Sequence, residues 1–126
     1  MDALFDRVGG ADFFVDLVER FYVGVAGDPL LRPLYPDDLR ESRDHLALFL
    51  MQYWGGPATY NEQRGHPRLR MRHAPFVIGP AERDAWLRHM HGALRDLHAA
   101  GRIVDADADE LGAYLDMAAR QLVNTA

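Results

Sequence analysis

Apolar residues recur at helical spacing along this chain, and glycine or proline closes almost every run; no other feature constrains the fold as much. Phe13, Leu17, Phe21 and Val25 are each four residues apart, with Phe14 and Val18 beside them. This spacing predicts an amphipathic helix that Asp12 caps and Gly27-Asp28-Pro29 ends. A short helix containing Leu4, Phe5 and Val8 precedes it and stops at Gly9-Gly10. The segment from Pro29 to Pro36 holds three prolines and must be a tight corner with at most one helical turn. Leu39, Ser42, Leu46, Phe49, Leu50 and Tyr53 then share one helical stripe, broken by Gly55-Gly56-Pro57. Ala58 to Gly79 is the least regular stretch, with room only for short helical turns. Gly79-Pro80 opens a long helix, striped by Trp86, Leu87, Met90, Leu94 and Leu97 and closed by Gly101. Asp105 caps a last helix carrying Leu111, Tyr114, Leu115, Ala118 and Leu122. Nowhere does a period-two alternation run long enough for a strand, so the expected class is all-α.

At 126 residues the chain fits a single domain, 1–126, large enough for one core. Its net charge of −5, with no run of basic residues, argues against a nucleic-acid partner. The start, Met1 to Arg7, is acidic where a signal peptide is basic. The longest stretch without charge, His45 to Asn61, contains Gln52 and Gly55-Gly56-Pro57 and is no membrane span. The absence of cysteine removes disulfide scaffolds, thiolate zinc sites, iron–sulfur clusters and covalent c-type haem, and it fits a reducing cytoplasm. A soluble cytoplasmic protein is therefore expected.

Phosphate-cradling, dinucleotide-binding, nucleophile-elbow and HExxH motifs are all missing. Six histidines are the metal candidates, but none has the partner spacing of a closed zinc site. His73 differs from the rest in its surroundings. It lies in Arg68-Leu69-Arg70-Met71-Arg72-His73-Ala74-Pro75-Phe76, where cations alternate with apolar side chains. A helix end with solvated arginines and a surface histidine explains that run, and on these residues alone it is the commoner explanation. The other explanation is haem: the iron takes a neutral imidazole, the ring needs an apolar slot, and the propionates need cations. Tyr22, Tyr35 and Trp86 carry polar tips on otherwise apolar stretches. They are either ordinary core aromatics or donors converging on a small polar ligand.

These segments, taken in order, resemble the truncated haemoglobins, group II. The resemblance rests on Phe5 to Gly10, Arg20-Phe21-Tyr22, Leu34-Tyr35-Pro36, Phe49 to Pro57, Gln63 to Phe76, and Arg83-Asp84-Ala85-Trp86-Leu87. It implies a two-over-two helical sandwich around non-covalent haem b, with His73 as the proximal iron ligand. Tyr22, Tyr35 and Trp86 would be the distal ligand-binding donors, Ser42, Leu46 and Phe49 the distal pocket and gate. Arg72, and more weakly Arg70, would meet the propionates. The implied function is reversible binding of dioxygen, carbon monoxide and nitric oxide with slow release, which suits sensing or scavenging better than bulk delivery. An enzyme on the same haem, a nitric oxide dioxygenase or peroxidase-like oxidant drawing on a separate reductase, is the alternative. A homo-oligomer is compatible with either.

Overall fold

The computed structural model describes residues 2–125. Met1 and Ala126, the ends of the expected 1–126 domain, lie outside the described residues. Seven α-helices follow in order: α1 (Leu4–Arg7), α2 (Ala11–Ala26), α3 (Arg40–Tyr53), α4 (Thr59–Arg64), α5 (Leu69–His73), α6 (Pro80–Ala99) and α7 (Asp105–Leu122). The proline-rich corner holds one 3-10 turn, Arg32–Leu34. No strand occurs among the described residues.

The four long helices form two pairs. α2 packs on both α3 and α6, and α6 packs on α7, which gives the expected two-over-two sandwich. The α2 stripe is the centre of the core: Phe13, Leu17, Phe21 and Val25 are all fully buried. Met90, Leu94 and Leu97 of α6 and Leu111 and Leu115 of α7 meet them. Burying a side chain of this kind contributes about 1.5–3 kcal/mol, so this stripe alone outweighs any single polar contact in the molecule. The crossing of α2 and α6 is close because Gly24 has no side chain. A Cβ there would overlap the His89 ring, which instead reaches past it to bond Asp28 at 2.7 Å. At the other end, the Arg7 guanidinium grips the buried Asp107 carboxylate at 3.1 Å and ties α1 to the start of α7.

Two helix starts differ from the sequence expectation. Asp12 does not cap α2; Gly10 stands at that boundary with φ +82°, a conformation open to glycine, and Asp12 falls inside the first turn. Likewise Val104 occupies the boundary of α7, and Asp105 lies in its first turn. Both acids still face the positive end of a helix, so the charge term survives without the side-chain cap. α6 begins as expected, with Pro80 in its first turn and the Glu82 carboxylate accepting the Gly79 N–H at 3.0 Å. The α3 stripe is also divided. Ala47, Leu50 and Met51 are buried, whereas Ser42, Leu46 and Phe49 turn to a cavity and Tyr53 is half exposed.

Candidate functional site

That cavity, about 410 Å³, is a cleft lined by α2, the corner, α3 and α4 together with α5, α6 and α7. The volume lies in the range of cofactor pockets. Tyr22 enters it from α2, Tyr35 from the corner and Trp86 from α6. The corner is held in shape by Arg32, whose guanidinium donates to the carbonyls of Tyr35 at 3.3 Å, Pro36 at 2.9 Å and Asp37 at 2.7 Å. This staple turns the Tyr35 ring inward, edge-to-face with Tyr22 at 5.6 Å between centroids. Trp86 packs edge-on to Phe21 at 5.3 Å. Ser42, Leu46 and Phe49 line the same cavity from α3.

α5 brings His73 to the cavity. Its Nδ1 lies 2.6 Å from the Leu69 carbonyl one turn back. A carbonyl only accepts, so Nδ1 carries the proton and the lone pair of the ring sits on Nε2. That is the tautomer a metal needs, oriented by the backbone of its own helix. Arg72 also faces the cavity, but its Nε donates to the Pro67 carbonyl at 2.7 Å and its Nη2 to the Arg64 carbonyl at 3.1 Å. Its first task is thus to close the loop ahead of His73. Arg70 is not brought to the cavity. It is exposed and lies in a shallow depression with Met117 and Arg120 of α7.

Among the cavity residues that sequence reasoning missed are His45 and Arg64. The Arg64 Nη1 sits 2.8 Å from His45 Nδ1, and its Nε is buried with no partner among the described residues. Burial, and then the charge of Arg64, push the His45 pKa below its ordinary value. His45 follows Ser42 by three residues, one turn of α3, so its place on this face was readable from spacing. Arg64 comes from another helix and carried no such signal. The remaining histidines are engaged elsewhere: His89 with Asp28, His91 with Asp116, His98 with Asp105, and His66 with the Arg68 N–H. No group of three metal-ligating side chains forms among the described residues.

Burial pushes the Tyr35 hydroxyl up to about 12, against the pull of Trp86 and Tyr22, and pushes Tyr114 up to about 12 as well. Tyr22 moves in the same direction. All three phenols therefore stay protonated, as donors, across the neutral range. Because the fold favours the neutral forms, the stability they contribute is intact below about pH 10, the ordinary tyrosine value, and is lost as pH climbs toward 12. Thermal melts should change little between pH 8 and 10 and fall between 10 and 12, and a Tyr35→Phe/Tyr114→Phe double variant should flatten that fall. An unchanged fall in the double variant would refute the assignment.

The lining fits a flat, apolar, anionic macrocycle with one open coordination position. It offers apolar walls, one correctly tautomerised imidazole, and an orphaned guanidinium nitrogen where a carboxylate could satisfy it. Comparisons point the same way. A profile of the family described as bacterial-like globin matches residues 3–121. The group 2 truncated hemoglobin YjbI of Bacillus subtilis is 42% identical over 115 residues, which are 91% of this chain and 84% of that protein. The crystal structure of the hemoglobin from the thermophilic phototrophic bacterium Chloroflexus aurantiacus is similar, with a TM-score of 0.94 and 46% identity, over 99% of this chain and 100% of that one. The truncated oxygen-avid haemoglobin from Bacillus subtilis matches with a TM-score of 0.87 and 39% identity, over 98% of this chain and 100% of that one.

Proposed function

The chain belongs to the group II truncated haemoglobins of the bacterial-like globin family, and we propose that it works as a b-type haem protein that binds dioxygen reversibly and releases it slowly. One observation carries this reading: His73, with Nδ1 committed to Leu69, shares a single cavity with Tyr22, Tyr35 and Trp86. Haem iron held there supplies a coordination position for dioxygen, carbon monoxide or nitric oxide. The chain has no cysteine, so packing, His73 and rim charges hold the macrocycle in place of thioether bonds.

Each residue then has a task that its position supports. His73 offers Nε2 as the proximal ligand. Arg64 presents positive charge to the propionates, and His45 stands beside it with its pKa held down; a carboxylate placed there would draw His45 toward its protonated form. Arg72 adds charge at the same rim while holding the Arg64–Pro67 loop. Arg70, turned toward α7, takes no part. Ser42 is small enough to let a diatomic ligand pass, and Leu46 and Phe49 keep the cavity apolar. Tyr22, Tyr35 and Trp86 donate hydrogen bonds to the ligand's polar end. A dry, charge-assisted bond contributes about 1.5–3 kcal/mol, so two of them slow release by about two to four decades. The oxygen-avid name of the Bacillus subtilis relative supports slow release here. We place the protein in the cytoplasm, as one domain.

Stopped-flow release of dioxygen from the ferrous protein tests the proposal. Slow release, with carbon monoxide bound in competition, is expected. Release as fast as from a globin without distal donors would contradict it.

A further inference from the structure

Beyond α7 the chain turns back to the segment that follows the proximal histidine. Val123 is extended, and Asn124 then meets residues 73–78 through its main chain and its side chain. The Asn124 N–H donates to the Ile78 carbonyl at 2.8 Å, and the Ile78 N–H donates to Asn124 Oδ1 at 2.9 Å. Its Nδ2 donates to the Phe76 carbonyl at 2.8 Å and, more weakly, toward the His73 carbonyl at 3.4 Å. Thr125 N–H adds a bond to the Ile78 carbonyl at 3.3 Å. Residues 74–79 belong to no helix and form no internal ladder, so their polar backbone groups need partners from outside. One side-chain amide supplies two of them, at Ile78 and Phe76, and also reaches the His73 carbonyl. An asparagine is suited to this because its donor and acceptor sit on one rigid plane.

From this geometry we infer that Asn124 is a positioning residue for His73. The Leu69 carbonyl fixes the imidazole from within α5, and Asn124 fixes the main chain at and just beyond His73 from the far end of the sequence. α5 is only five residues long and has few bonds of its own, so besides its packing on α7 its C-terminal end is held by this anchor. The inference rests on His73 being the haem ligand.

The test uses the haem-loaded chain with Asn124→Ala and Asn124→Asp. Three quantities are read: amide exchange at Ile78, haem loss to excess apomyoglobin, and the iron–histidine stretching band of the ferrous, ligand-free protein. Asn124→Ala should speed both Ile78 exchange and haem loss about fivefold, the effect of one net hydrogen bond, and should shift the stretching band. Asn124→Asp keeps the acceptor for Ile78 but turns an anion toward the Phe76 and His73 carbonyls. It should retain Ile78 protection while shifting the band at least as far. A band and a haem-loss rate unchanged within twofold in both variants would overturn the inference. A wild-type protein without any haem spectrum would instead overturn the reading beneath it.

Discussion

His73→Gly is expected to abolish the protein's bond to haem iron while leaving the helical fold in place, and added imidazole to restore a five-coordinate spectrum. The fold survives because His73 ends a five-residue helix and belongs to no part of the buried core. The bond is lost because no other histidine is free to replace it: His45, the other histidine of the cavity, sits on α3 with its ring nitrogens against the Arg64 guanidinium. His89, His91 and His98 are each committed to a carboxylate, and His66 accepts the Arg68 N–H. The loss of haem retention should exceed the about 10–100-fold typical of changes to a ligand's outer partners. Imidazole fits the gap because glycine leaves the Leu69 carbonyl in place to orient its N–H. Loss of ligation in a His66 variant, with His73→Gly unaffected, would mean the proximal loop is misassigned.

Trp86→Phe should accelerate dioxygen release by about tenfold or more, the equivalent of losing about 1.4 kcal/mol or more of donor stabilisation. Phenylalanine keeps the edge-on packing against Phe21 and deletes the indole N–H. If Trp86 were only a packing residue, the change would lower stability by a packing-sized amount and leave release nearly unaltered. Carbon monoxide gathers less charge and should respond less, so the ratio of the two dissociation rates separates donor loss from a widened pocket. Tyr22→Phe and Tyr35→Phe act on the same group of donors, since the Tyr35 hydroxyl feels both Trp86 and Tyr22. Double variants should therefore be non-additive. Release within twofold of wild type in all three single variants would mean that these donors do not hold the ligand.

The helices were legible in the sequence because their periodicity is written in consecutive residues. Phe13, Leu17, Phe21 and Val25 announce both the helix and the face it buries, and the structure buries all four. Features set by tertiary contacts were not. Arg70 and Arg72 are two apart on α5 and so face different ways, but which of them meets the cavity is set by how α5 packs on α7. The pairing of Arg64 with His45 joins two helices across 19 residues, and the return of Asn124 to Ile78 spans 46. Neither pairing leaves a local pattern to read. The two helix starts misread as Asp12 and Asp105 show the same limit on a smaller scale. An acid at the first turn serves the helix dipole equally well one residue inside the boundary, so composition alone does not fix the register.

The site residues gain their meaning from haem, and one measurement tests that directly: the absorption spectrum of this chain produced with haem available. The account predicts a strong Soret band that shifts on reduction and shifts again when carbon monoxide is added. A fully helical, folded protein with no Soret band under any haem supply would contradict it.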